Sequence, residues 1–178
     1  MDLTDEQLIR RIRAGDADAF ETLYHRYKQW IVRLARRFSI DDADALDVLQ
    51  ETSLYLLRKI PTLQPTGRLT TLLYPVVRHI AKELARKRRR ASGVTENDDL
   101  SNYAAAPQTP EQMELAAIVS SLPEAQREVL LMRFVDDMQL DEIAAALEIP
   151  VGTVKSRIHN ALSTLRASPR IRSYFEQR

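Results

Sequence analysis

Two stretches of this chain group side chains that can hold a polyanion. Between positions 68 and 90 stand Arg68, Arg78, Lys82, Arg86, Lys87, Arg88, Arg89 and Arg90, against the single acid Glu83. Near the other end, Lys155, Ser156, His159, Asn160 and Ser163, with Arg157 on the flank, recur at helical spacing opposite the apolar Val154, Ile158, Ala161, Leu162 and Leu165. Guanidinium and ammonium groups bind phosphates, and short amide, hydroxyl and imidazole groups on one helix face hydrogen-bond base edges. Read from spacing alone, both stretches also suit water: a charge run can be a solubilising surface, and a polar helix face can be a solvated one.

Covalent chemistry has little to work with. The chain has no cysteine, which excludes disulfides, thiolate metal sites and thiol nucleophiles. Its histidines, His25, His79 and His159, are scattered, and no metal-ligand spacing, nucleophile elbow or phosphate loop appears. The paired acids Asp41-Asp42 and Asp98-Asp99 read more simply as a helix start and a linker. The expectation is a protein that is not an enzyme and needs no cofactor and no metal.

Net charge is +1 over 178 residues, yet the charges are segregated. Acids collect at Asp41, Asp42, Asp44, Asp47 and Glu51, and again at Glu96, Asp98 and Asp99. Local fields steer a polyanion more than the total does. The start, Met1-Asp2-Leu3-Thr4-Asp5-Glu6, is acidic and unlike a signal peptide, and no apolar run approaches the ~20 residues of a membrane helix, so a cytoplasmic protein that does not engage the membrane is expected.

The elements that must position these groups are helices. Glycines are few and strand-like alternation is absent. A first helix is opened by a capping box, Thr4 with Gln7, with Leu3 and Leu8 placed as a hydrophobic staple, and Gly15 can end it. A second should run over about 16–38 on the stripe Phe20, Leu23, Tyr27, Trp30, Ile31 and Leu34. A third begins near Asp41, uses Ala45, Val48, Leu49, Thr52, Leu56 and Leu57, and is closed by Pro61. The loop 61–67 leads to a basic helix reaching about Arg90, in which Pro75 should remove one backbone bond and bend the axis unless the helix starts late. Periodicity fails over about 91–110. It resumes in four segments, about 111–121, 123–135, 139–147 and 152–167.

The last two form a helix-turn-helix pattern from Asp141 to Ile158. Ile143 and Leu147 face inward, small Ala144 allows a close crossing, Ile149 plugs the turn, Pro150 stops the first helix, and Gly152 or Thr153 should cap the second. A helix of this width enters a major groove.

Both halves together resemble the extracytoplasmic-function sigma factors of the sigma-70 family. Asp18-Ala19-Phe20-Glu21-Thr22-Leu23-Tyr24-His25-Arg26-Tyr27 resembles region 2.1, and the segment from Asp44 to Leu54 resembles region 2.2. Leu122-Pro123-Glu124-Ala125-Gln126-Arg127-Glu128-Val129-Leu130, Glu142-Ile143-Ala144 and Val151-Gly152-Thr153-Val154-Lys155-Ser156-Arg157 are similar to region 4. The resemblance implies an all-α chain. Positions 1–91 would form a sigma2-like four-helix domain for polymerase binding and −10 recognition and melting. A flexible linker, 92–110, would lead to a sigma4-like helix-turn-helix domain, 111–170, for −35 recognition, followed by a tail, 171–178.

The same resemblance assigns roles. Asp44, Asp47, Gln50 and Glu51 would meet the β′ clamp helices of core RNA polymerase. Arg78, His79, Lys82, Glu83, Arg86 and Arg89, with the loop 61–67, would open and read the −10 element. Thr153, Lys155, Ser156, Arg157, His159 and Asn160 would read the −35 element. Partners implied are core polymerase, including the β flap, promoter DNA and an anti-sigma factor. The chain departs from the family at Leu69 and Leu72, often Phe and Trp, at His79 and Glu83, commonly Asn and Asp, and at Glu148, usually Gly. A left-handed Glu148 would cost about 1 kcal/mol. Two rival readings are a helix-turn-helix regulator acting on duplex DNA without polymerase, and a sigma-like decoy that does not start transcription.

Overall fold

A computed structural model describes residues 3–38, 42–64, 67–92 and 110–167. The acidic trio Glu96, Asp98 and Asp99, together with Asp41, Pro65, Thr66 and the apolar tail residues Ile171, Tyr174 and Phe175, lies outside them, as does the side chain of Arg89. The chain divides into two compact units, Met1–Asn102 and Tyr103–Arg178.

In the first unit, α1 spans Asp5–Arg13, α2 Ala17–Arg36, α3 Asp42–Lys59 and α4 Thr70–Ser92, with a 3₁₀ turn Ile60–Thr62 after α3. The expected capping box is present at α1: the Gln7 N–H donates to Thr4 Oγ1 and the Thr4 N–H to Gln7 Oε1. Gly15, at φ +90°, makes the left-handed exit that a side chain would resist. Asp16 caps α2 by accepting from the Ala19 N–H at 3.1 Å. Helix α2 packs on α1, α3 and α4, and α3 also packs on α4. Leu8, Ile9, Leu23, Leu34, Val48, Leu73 and Val77 fill the core between them and are fully buried.

Two stripe positions shift. Ala19 rather than Phe20 turns inward on α2, and Leu57 of α3 is exposed beside buried Leu56, one helical step of about 100° away. Helix α4 starts at Thr70, so Pro75 falls in its second turn, where a single intrahelical donor is lost, and the helix runs on.

In the second unit, α5 spans Pro110–Ser120, α6 Glu124–Phe134, α7 Leu140–Leu147 and α8 Val151–Ala167. Val129, Met132, Met138, Ile143 and Val154 are fully buried where α6, α7 and α8 meet, and Leu122, Leu130 and Ala161 form a cluster completed by Leu162 and Leu165. Helix α7 ends on Glu148 in the left-handed conformation, φ +53° and ψ +43°. The expected caps at Gly152 or Thr153 are displaced: α8 begins at Val151, and the Pro150 carbonyl accepts from the Thr153 and Val154 N–H groups. Pro123 stands at the same point of α6, its carbonyl accepting from the Gln126 and Arg127 N–H groups. A proline lacks the N–H that a first turn leaves unused, so the chain enters the helix directly after it.

Candidate nucleic-acid interface

On α8, Lys155, Ser156, His159, Asn160 and Ser163 are exposed along one face, while Val154 and Ala161 are buried on the other. Thr153 and Arg157 stand half-buried at its margin. The Ser156 hydroxyl donates to the Thr153 carbonyl at 3.0 Å, which fixes its rotamer and leaves its oxygen outward as an acceptor. No acid occupies the first turn of α8, so the positive end of the helix dipole is not neutralised by its own side chains. The face therefore combines donors, acceptors and a cation on a rigid, groove-sized rod.

On α4, His79, Glu83, Arg86, Lys87 and Arg90 make an exposed stripe at three- and four-residue spacing. Glu83 sits between two of its neighbours, 3.6 Å from His79 Nε2 and 3.8 Å from Arg86 Nη2. Lys82 lies with its ammonium 5.6 Å from the centroid of the buried Phe38 ring, and Arg78 is half-buried. These two cations are drawn toward the body of the unit, whereas His79 and Arg86 project from it. Beside His79, a shallow groove of about 430 Å³ runs between α3 and α4, lined by Glu51, Tyr55, Arg58, Pro75, Val76 and Ile80.

The acids of α3 separate sharply. Asp47, Gln50 and Glu51 are exposed, next to exposed Leu46, Leu54 and Leu57. Asp44 is not available to a partner: its side chain is 1 % exposed and its Oδ1 lies 2.7 Å from Arg88 Nε. Asp44, expected at the polymerase contact, instead forms an internal ion pair with Arg88, which itself stays partly exposed. The leucines beside the acids are apolar positions off the buried stripe, a signal visible in the sequence at Leu46 and Leu54.

A polar cluster at the base of α1 was not anticipated. Asp5, 7 % exposed, accepts from Arg26 Nη1 at 2.6 Å, from the Tyr27 hydroxyl and from the Leu69 N–H at 3.1 Å. Burial, then the hydrogen bond and the negative charge of Asp5, hold the Tyr27 hydroxyl above its ordinary pKa. Its sequence signal was a tyrosine on an apolar stripe next to an arginine.

The family models for Sigma-70 region 2 and for Sigma-70, region 4 match residues 23–91 and 112–165. The ECF RNA polymerase sigma-E factor of Escherichia coli (strain K12) is 32 % identical over 174 residues, 89 % of this chain and 91 % of that protein. The chain belongs to the extracytoplasmic-function sigma factors. The ECF RNA polymerase sigma factor SigW of Bacillus subtilis (strain 168) is 28 % identical over 181 residues, covering 93 % of this sigma factor and 97 % of SigW. Among solved structures, CnrH in complex with the cytosolic domain of CnrY aligns with TM-score 0.68 and 25 % identity, over 92 % of this sigma factor and 95 % of that chain. The fold is also that of the sigma factor RpoE from Bartonella quintana, solved with the anti-sigma factor NepR, at TM-score 0.62 over 82 % of this sigma factor and 92 % of that chain. The chain is thus all-α, with sigma region 2 and region 4 in the order the sequence suggested. No helix among the described residues of this sigma factor is long and apolar enough to cross a membrane.

Proposed function

We propose that this protein directs promoter-specific initiation of transcription, binding core RNA polymerase and recognising −10 and −35 elements. The observation that carries the proposal is the pairing of both sigma modules in one chain with an outward reading face on each. In this reading 111–170 reads the −35 duplex through Thr153, Lys155, Ser156, Arg157, His159 and Asn160. The unit 1–91 opens and reads the −10 element through His79, Glu83 and Arg86, with Arg78 and Lys82 on the flanks of that stripe, and Arg89 is kept among the candidate contacts. Asp47, Gln50 and Glu51, with the leucines beside them, meet the β′ clamp helices.

The division has a physical logic. Duplex reading needs a rigid polar helix. Capturing an unstacked base needs a loop with nearby cations for the displaced strand. Two weak readers gain useful affinity only at the correct spacing, which polymerase would set by holding them apart across 92–110. The polymerising chemistry stays with the core enzyme; this chain supplies recognition, in the cytoplasm, and is open to restraint by an anti-sigma factor.

The test is run-off transcription from a genomic fragment library with bacterial core polymerase, with and without the protein. New start sites sharing two spaced sequence elements are expected. Core binding without new transcripts would make the chain a decoy, and absence of core binding would leave a duplex-binding regulator.

A further inference from the structure

Helix α1 touches the connection between α3 and α4 at both of its ends. Arg13, the last residue of α1, donates from Nε to the Ile60 carbonyl at 2.9 Å and from Nη2 to the Leu63 carbonyl, so one guanidinium grips the entry to the connection. Asp5, the first residue of α1, accepts from the Leu69 N–H at 3.1 Å, and the Tyr27 oxygen shares the same N–H at 3.2 Å. Leu69 immediately precedes α4, and its carbonyl accepts from the Leu73 N–H at 2.8 Å. The exit of the connection is therefore held at the point where α4 begins.

Docking α1 does not require these bonds. Leu8 and Ile9, both fully buried, already anchor its apolar face. The polar groups at its ends instead seek backbone atoms, whose positions they hold whatever side chains lie between. From Asp5 to Arg13 the helix rises about 12 Å, and a hydrogen-bonded rod of that length with a reciprocal cap does not compress. Arg26 adds to the rigidity: it donates from Nη1 to Asp5 and from Nη2 to the Leu3 carbonyl, so the carboxylate cannot swing away from Leu69.

We infer that α1 is a spacer that sets the separation between Leu63 and Leu69, making Asp5 and Arg13 positioning residues for −10 recognition. The inference rests on the sigma-factor reading above. A spacer of this kind pre-organises the entry to α4, and with it His79 and Arg86, before any DNA arrives. Without it the same residues remain exposed but Leu63 and Leu69 lose their fixed separation, so the entry to α4 must be set at the moment of base capture, and discrimination between bases falls first.

The experiment uses full-length protein with core polymerase on two promoters sharing one −35 element, one with the matched −10 element and one with it substituted. For Arg13→Gln and Asp5→Asn the ratio of initiation between the two should fall by about fivefold. Core binding and helical content should hold, and Arg13→Lys, which keeps one donor to the carbonyl pair, should recover part of the ratio. Ile9→Val serves as the control that weakens the docking of α1 without touching either grip or the cap. An unchanged ratio in Arg13→Gln, even with a lowered melting temperature, would overturn the inference and leave α1 as a plain structural helix. If Asp5→Asn does not fold, Arg13→Gln and Arg13→Lys decide alone. Wild-type protein that shows no −10 dependence at all would remove the sigma-factor reading itself, a different result from a wild-type ratio that Arg13→Gln preserves.

Discussion

Arg88 Nε lies 2.7 Å from Asp44 Oδ1, joining the C-terminal part of α4 to the first turn of α3. The carboxylate is 1 % exposed and the arginine 43 % exposed, so one partner is out of water and the other is not. The pair divides residues that look alike in the sequence: Asp44 is sequestered while Asp47 and Glu51 face outward.

Removing Arg88 strands a buried charge. Arg88→Ala should destabilise the first unit by about 2 kcal/mol, below the 3–5 kcal/mol for a fully buried pair because Arg88 is partly solvated. Urea denaturation measures this. Asp44→Ala should likewise lower stability while leaving core binding intact at temperatures where the protein is folded. A double reversal, Asp47→Lys with Glu51→Lys, should do the opposite, weakening core binding by tenfold or more at unchanged stability. If Asp44→Ala lost core binding without losing stability, the assignment of Asp44 to an internal strut would be wrong.

Tyr27 makes the fold sensitive to high pH. Burial and Asp5 raise its folded-state pKa, so the neutral hydroxyl is the form the native state prefers. That stabilisation is fully present below the unfolded value of about 10 and is lost as pH rises from there toward the folded value. Tyr27→Phe should cost about 1 kcal/mol at neutral pH and flatten the alkaline fall in stability. Denaturant midpoints at pH 8 and pH 10.5 give the comparison; parallel curves for wild type and variant would refute it.

Glu148 holds φ +53°, a conformation that costs an L side chain about 1 kcal/mol and a glycine almost nothing. Glu148→Gly should stabilise the second unit by about 0.5–1 kcal/mol, less the extra chain entropy that glycine loses on folding. A thermal melt reads it directly. Because the Ile149 N–H still donates to the Ala144 carbonyl, the α7–α8 turn and transcription from a −35-dependent promoter should not change.

Lys155 and the α4 cations should differ in what they control. Lys155→Ala should weaken −35-dependent transcription and lower the salt slope of promoter binding by about one unit if it contacts a phosphate. Replacing Arg86, Lys87 and Arg90 with glutamine should slow open-complex formation and reduce its salt sensitivity. An unaltered slope in the second case would mark those residues as a solvated surface. Filter binding and permanganate footprinting over a salt series separate the two steps.

Much of this was written locally. The capping box at Thr4, the glycine exit at Gly15 and the stops at Pro61 and Pro150 are decisions taken within four or five residues, where sequence and backbone are directly linked. The amphipathic pattern of α8 likewise determined which of its side chains point outward, because a helix of known pitch leaves no other choice. The cap expected at Gly152 or Thr153 failed for an equally local reason, since the proline two or three residues earlier was already the better helix entrance.

What the sequence determined alone was therefore the all-α class, the order of the two modules and the chemistry of each helix face. Only the tertiary structure decided which members of a charged run are free to act. Asp44 and Arg88 stand 44 positions apart in sequence, and Asp5 and Leu69 stand 64 apart. Whether such groups meet depends on how α1, α3 and α4 pack, which hydrophobic burial governs across the whole unit rather than along any one helix. Helical periodicity reports the face a residue occupies; it does not report what stands opposite that face.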